Sequence, residues 1–309
     1  MSDPVADRLA DATFDRRRLK RRLVWWRAAA IIAIAALVAA IVWFQQGGSA
    51  LNPGASYIAR VTVAGVIEDD PQTQVYLQAL AQSERVAGVI VSINSPGGTF
   101  SGSEALHTSL RRLAEAKPTV AVIGGMAASG GYMAAIAADH IVARQGSVVG
   151  SVGVIFQMPQ VYRLLDDLGI DIETIRSGDL KAAPGPMQET SRTARQAAEG
   201  LVDDLFSQFL GMVTDRRPLT DAAVADVRRG GVYTGRAGLE IGLIDAIGGE
   251  DQALQWLEAE GGLTAGLPVY DRSAGDAVPW WAELMEELEN RARLGPAPIL
   301  DGPWAIWHR

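Results

Sequence analysis

Cysteine is absent from all 309 residues. That excludes disulfides, thiol nucleophiles and thiolate metal sites, and it leaves the redox compartment open. Lysine is nearly absent too. Of 28 basic residues only Lys20, Lys117 and Lys181 are lysine, and the rest are arginine. Arginine stays protonated at any working pH, so chemistry that needs a neutral amine has three candidates. Histidine is equally scarce, with His107, His140 and His308 the full set. The net charge is −8, and beyond residue 27 no basic cluster marks a nucleic-acid surface. Internal repeats are missing as well. What remains is a chain 48% hydrophobic, enough for one large domain or two small ones with a sizeable core.

The basic residues that do cluster lie at the start. Arg8, Arg16, Arg17, Arg18, Lys20, Arg21, Arg22 and Arg27 stand against four aspartates. An apolar run follows, and residues 23–46 meet the length of roughly 20 residues that a bilayer-spanning helix needs. Trp25, Trp26 and Trp43 fall where an aromatic belt would sit. A cleaved signal peptide would have a shorter apolar region and a small-residue cleavage site. This run ends instead in Trp43-Phe44-Gln45-Gln46. The expectation is a basic cytoplasmic tail (1–22), an anchor (23–46), a linker (47–56) and an exported globular part, oriented by the positive-inside rule.

From Tyr57 the chain alternates strand-like and helix-like segments. Residues 57–67 alternate like a half-buried strand, 72–84 look helical, and 87–93 form an apolar run ending in Asn94-Ser95-Pro96-Gly97-Gly98. The spacing predicts a helix over 101–116, capped by Ser101 or Ser103, then a buried strand Thr119–Ile123 that stops at Gly124-Gly125. A short strand is expected at 172–175, a long helix over 190–215, and further helices near 220–229 and 250–260. Residues 266–309 read as a Trp- and Pro-rich tail with a helical stretch at 281–293. This order implies parallel strands with right-handed crossovers, whose function lies in loops at the strands' carboxyl ends. Two glycine-rich loops, 94–98 and 124–131, occupy such positions.

The second loop, Gly124-Gly125-Met126-Ala127-Ala128-Ser129-Gly130-Gly131, carries a serine between a strand and the apolar helix expected at Tyr132–Ala138. Small neighbours admit a substrate backbone, and first-turn N–H groups can hold an oxyanion. Alone, the segment fits a plain helix N-cap at least as well. It is not a phosphate loop, since no Gly-Lys-Ser/Thr follows, and G-x-G-x-x-G is absent. Among candidate bases, His107 falls mid-helix, His140 opens a strand-like segment, and His308 is at the end. Lys20 is in the basic tail and Lys117 ends a helix, which leaves Lys181. A lysine base must be largely neutral near pH 7, which costs about 4 kcal/mol that burial can supply. Read alone, Lys181 is equally a solvated loop residue.

Together these segments resemble the signal peptide peptidase A family of serine–lysine peptidases in its short, single-unit form. The likeness runs from Ile58 to Ala259. It rests on Asn94-Ser95-Pro96-Gly97-Gly98, Ala127-Ala128-Ser129-Gly130-Gly131-Tyr132, Gly150-Ser151-Val152-Gly153-Val154 and Ser177-Gly178-Asp179-Leu180-Lys181. Tyr233-Thr234-Gly235-Arg236-Ala237 with Gly242-Leu243-Ile244-Asp245 completes the set, and the 52-residue spacing from Ser129 to Lys181 is also the family's. The resemblance implies an α/β Clp-protease/crotonase-like fold of repeated ββα units after one N-terminal transmembrane helix, with a peptidase domain over 57–265. It implies Ser129 as nucleophile, Lys181 as general base, Ser151 orienting the lysine, and the backbone N–H groups of Gly98 and Gly130 as oxyanion hole. Ser151 has a competing reading as a buried strand serine bonded to backbone.

No metal or cofactor is implied, and no nucleic acid. The implied substrates are signal peptides or other membrane peptides. The implied assembly is a ring-like homo-oligomer such as an octamer, with the base often supplied by a neighbouring subunit. The implied location is the bacterial inner membrane, single-pass, with the N-terminus cytoplasmic and the catalytic domain periplasmic. Three alternatives remain at this point: a Ser–Lys peptidase that cuts one dedicated membrane protein, a crotonase-like acyl-CoA enzyme, and a non-catalytic scaffold.

Overall fold

A computed structural model describes residues 25–38 and 56–272. The expected basic tail, nearly all of the linker, and residues 273–309 of the C-terminal tail, with its helix at 281–293, lie outside the described residues. The tail's first residues do not form a separate segment, since Val269–Arg272 pair with Ile58–Val61 in the sheet. Residues 25–38 form helix α1, with Trp25, Trp26, Ile31, Ile32, Ile34 and Leu37 all exposed. No helix among the described residues is long and apolar enough to cross a membrane, and both ends of the expected anchor lie outside them.

The second unit begins at Ser56. Its order is β1 (Tyr57–Ile67), α2 (Pro71–Gln82), β2 (Val86–Gly98), α3 (Phe100–Ala116), β3 (Thr119–Ala128), α4 (Gly130–Ala135), β4 (His140–Ala143) and β5 (Val148–Gly150). Then follow α5 (Tyr162–Asp167), α6 (Arg192–Arg216), α7 (Asp221–Val227), β6 (Val232–Thr234), α8 (Gly235–Ile241), β7 (Ala246–Ile247), α9 (Glu250–Ala259) and β8 (Val269–Arg272). The sheet runs β6-β5-β3-β2-β1-β8, with β4 beside β3 and β7 beside β4. Every pairing is parallel except β5 with β6, which makes the sheet mixed. Consecutive strands without a helix between them occur only at β4–β5, so a ββα unit is formed once among the described residues.

Alternation along the strands supplies both faces. Ala59, Val61 and Val63, Val89, Val91 and Ile93, and Ala121 and Ile123 point into the larger core, with Leu77, Leu110, Leu113 and Phe209 from the helices. Ile58, Ile90, Val120 and Val142 point the other way onto Ala253 and Leu257 of α9. Each fully buried aliphatic side chain is worth about 1.5–3 kcal/mol, so two occupied faces specify the register strongly.

Four expectations are corrected. Thr99, not Ser101 or Ser103, caps α3, accepting from Gly102 N at 3.2 Å, because the helix starts one residue earlier. Strand β3 does not stop at Gly124-Gly125. β4 pairs with Val120–Ile123, then β5 takes over at Met126–Ala128, and the Ser147 hydroxyl bonds to Ile123 O and Gly124 O where the two meet. Helix α4 begins at Gly130 and ends at Ala135, earlier than Tyr132–Ala138. No strand forms at 172–175: Ile172 and Ile175 are exposed and no neighbouring strand offers them a ladder.

The short α4 is buried throughout, so the carbonyls at its end need partners. Arg216 donates to Ile136 O and Ala138 O at 3.1 and 3.0 Å, and Arg111 to Ala137 O at 2.6 Å. The His107 Nδ1–H donates to Met133 O at 2.8 Å. Burial, with Arg111 and Arg216 nearby, lowers the His107 pKa from its ordinary 6.5. Burial likewise lowers His140, which stacks on Trp256 with ring centroids 5.0 Å apart. A depressed histidine is neutral when folded and takes a proton more readily when unfolded. The stability it contributes is therefore complete above about pH 6.5 and is lost as pH falls from there towards the folded value. Melting temperature is expected to drop between pH 7 and pH 5. His107→Gln, which keeps a side-chain donor and cannot titrate, is expected to lessen that slope; an unchanged slope would contradict the assignment.

Candidate active site

Ser129 sits between the end of β3 and the first residue of α4 with φ 51° and ψ −121°, a conformation that glycine favours and serine rarely adopts. Such a residue costs on the order of 1–3 kcal/mol and persists only where its surroundings fix it. Two hydrogen bonds do so: Ser129 N donates to Gly150 O, and Ser129 O accepts from Met133 N, each at 2.9 Å. Although Ser129 occupies the N-cap position, its hydroxyl makes no capping bond and its backbone lacks the extended geometry of a cap. The plain N-cap reading therefore fails.

Two glycines let the neighbouring loops close on this turn. A Cβ on Gly130 would lie 2.0 Å from Ser103 Oγ, and a Cβ on Gly97 (φ +107°) would lie 2.9 Å from both Gly130 N and Ser129 Cβ. No side chain fits either gap. The Asn94–Gly98 segment, expected as a loop, is the bulged end of β2 and is thus in contact with the nucleophile candidate.

Backbone donors at the site differ in availability. Gly97 N donates to Ser95 Oγ at 3.1 Å, and Ser95 Oγ donates onward to Gly65 O at 2.7 Å. Thr99 N donates to Ile67 O at 3.0 Å, which in a parallel ladder turns the N–H of Gly98 away from β1 and towards β3. The Cβ position of Gly130 is 3.3 Å from Gly98 N, so the end of β2 and the start of α4 approach closely beside Ser129. Gly130 N is one of the first-turn amides for which α4 has no internal acceptor.

Ser151 lies one residue beyond β5 with φ 53°, and its N–H donates to Gly231 O at 2.8 Å. It is half-buried and past the strand, so it is not a strand serine. Because Gly150 O holds Ser129 N, the structure brings Ser151 next to the nucleophile turn. Lys181 is different. It lies on an exposed loop, its N–H bonded to Gly178 O at 3.0 Å, and one chain gives it none of the burial that a neutral amine needs. Ala182 after it has φ 57°. The three non-glycine residues with positive φ among those described are thus Ser129, Ser151 and the neighbour of Lys181. Sequence reading missed Ser95 and Ser103. Ser95 lies inside a quoted motif, which was the one signal in the sequence; its complete burial is visible only in the structure.

Comparisons with known proteins place the chain in a family. The model of peptidase family S49 matches residues 111–264, and that of Clp protease matches residues 57–164. A protein of Synechocystis sp. with a provisional protease name is 35% identical over 67% of this chain and 75% of its own length. A protein of Enterococcus faecium, provisionally named signal peptide peptidase SppA, is 29% identical over 78% of this chain and 75% of its own. The chloroplastic serine protease SPPA of Arabidopsis thaliana is 30% identical over 58% of this chain, which spans only 26% of that longer protein. The fold is accordingly Clp-protease-like, and the acyl-CoA and scaffold alternatives are set aside. On the extent and identity of these matches, the chain belongs to peptidase family S49 and is a serine peptidase.

Proposed function

We propose that this chain is a membrane-anchored endopeptidase that hydrolyses remnant signal peptides through a Ser129–Lys181 acyl-enzyme mechanism. The observation that carries this reading is the Gly-favoured backbone of Ser129, held by Gly150 O beside the amides of Gly98 and Gly130. That arrangement exposes a hydroxyl next to paired N–H donors, as acyl transfer requires.

In the first step the neutral Lys181 amine takes the Ser129 Oγ proton while Oγ bonds to the peptide carbonyl carbon. The carbonyl oxygen becomes an oxyanion, received by Gly98 N–H and Gly130 N–H. Collapse breaks the C–N bond, and the Lys181 ammonium returns the proton to the leaving amine. Water, deprotonated by the same amine, then hydrolyses the ester. Ser151 accepts a hydrogen bond from the amine and directs it.

An amine exposed in one chain requires a second chain to dry it. The stretch from Ile155 to Met187, which contains Lys181, carries apolar side chains with little cover, including Ile155 at 87% and Ile175 at 92% exposure. This favours a ring-like homo-oligomer in which a neighbouring copy completes the site. The apolar, exposed α1 and the basic residues before it support a single-pass anchor in the bacterial inner membrane, with the N-terminus cytoplasmic and the peptidase periplasmic.

For the detergent-solubilised full chain, Ser129→Ala and Lys181→Ala are each expected to lower peptide hydrolysis at least about a thousandfold. Ser151→Ala should cost on the order of a hundredfold. Retained turnover in either of the first two rejects the dyad. Coassembling the Ser129→Ala and Lys181→Ala chains should restore part of the activity, and no restoration would place the dyad within one chain. Gly130→Ala should lower kcat by roughly 100- to 1000-fold through the displaced amide. Ser103→Gly in that background should recover part of it, because it removes the hydroxyl 2.0 Å from the added methyl.

A further inference from the structure

The motif Tyr233-Thr234-Gly235 has no part in the chemistry above, yet each of its residues has a definite place. Thr234 Oγ1 caps α8, accepting from Ala237 N at 3.2 Å. A Cβ on Gly235 would lie 2.1 Å from Arg144 O, so the chain passes tightly against the loop between β4 and β5. Tyr233 lies opposite Val149 in the antiparallel β5–β6 pair. Its ring Cδ2 is 3.0 Å from the position a Cβ on Gly150 would take, and its Oη is 3.3 Å from that of Gly231. The phenol donates to Asp226 Oδ2 of α7 at 2.8 Å. Burial, and then that carboxylate, push the phenol up to about 12, so it remains a donor at assay pH.

The two glycines that this ring touches are the ones whose carbonyls hold the strained serines. Gly150 O accepts from Ser129 N at 2.9 Å, and Gly231 O accepts from Ser151 N at 2.8 Å. Gly150 itself has φ +97° and, lacking a side chain, has only neighbours to define its peptide plane. A ring this close to the Cβ positions of both glycines leaves little room for either carbonyl to tilt. A tilt at Gly150 rotates the Ser129 hydroxyl, and a tilt at Gly231 moves Ser151.

We infer that Tyr233 is a positioning residue for the reaction: its ring, tethered by Asp226, fixes the Gly150 and Gly231 carbonyls and through them the backbones of Ser129 and Ser151. The inference rests on the site reading given under Proposed function. Tyr233 does not touch substrate, so its loss acts on the rate of acylation and leaves substrate binding in place.

The test uses the full chain in detergent and measures kcat, KM and the rate at which a fluorophosphonate labels Ser129. Tyr233→Leu should lower kcat and the labelling rate together by about 10- to 100-fold, the scale of a misplaced reacting group, with KM within about twofold. Tyr233→Phe keeps the ring and should recover all but about threefold. Asp226→Ala, at a side chain 50% exposed and safe for folding, should cost a similar threefold in kcat, with no further loss when combined with Tyr233→Phe. In a Ser151→Ala background, Tyr233→Leu should cost less than it does alone, because the two changes share one displacement. Wild-type kcat in Tyr233→Leu, a Phe variant as slow as Leu, or full additivity of Asp226→Ala with Tyr233→Phe would each overturn the inference. Should Tyr233→Leu not fold, the Phe and Asp226 pair decides. Activity retained in Ser129→Ala would instead sink the underlying site reading, whatever Tyr233 does.

Discussion

One hydrogen bond organises the site: Ser129 N to Gly150 O. It ties the end of β3 to the end of β5 and holds a serine in a conformation that its Cβ resists. The strain is local, and its compensation is spread over the neighbours. Buried α4 behind it, the glycines that let two loops meet, and the side-chain donors from α3 and α6 all keep Ser129 from relaxing. Chemistry at a strand–helix junction needs this rigidity, since a hydroxyl free to rotate would spend little time aimed at a carbonyl.

That bond exists because the sheet changes neighbours along β3. The first half of the strand pairs with β4 and the second with β5, so the carboxyl end of β3 emerges beside a strand that is itself bordered by antiparallel β6. The serine therefore depends on residues a hundred positions later, around Gly231 and Tyr233. Arginine does much of the supporting work away from the site. Arg217 bonds Asp245 through both Nη atoms at 3.0 and 2.8 Å and Gly242 O through Nε at 2.8 Å, a fork that lysine cannot imitate. The ion pair with a buried arginine is thus planar and multidentate.

Much of this was legible in the sequence. Hydrophobic alternation located β1 and an apolar run located β2. The two glycine-rich segments marked the candidate site before any motif was considered, although both continue their strands instead of forming loops after them. Element ends were less legible. The cap at Thr99 was misread because Ser101 and Ser103 are equally good formers of caps, and only the path of the chain decides among them. Extension of β3 through two glycines depended on β5, a three-residue strand with no periodicity of its own. The strand expected at 172–175 finds no neighbouring strand, and its isoleucines are exposed. Backbone strain could not be read at all: Ser129, Ser151 and Ala182 are ordinary letters whose positive φ is imposed by tertiary contacts. The exposure of Lys181 in one chain matches the solvated-loop reading that its own segment allowed.

The parallel pairing of β1 with β8, where Ile58 faces Val269 and Val61 faces Arg272, has a consequence for biogenesis. The first strand of the globular unit has one edge that stays open until the last described strand has been synthesised. Over two hundred residues must leave the ribosome before that edge is closed. A half-made chain therefore presents an unpaired apolar edge until β8 arrives, the kind of edge that another chain can pair with.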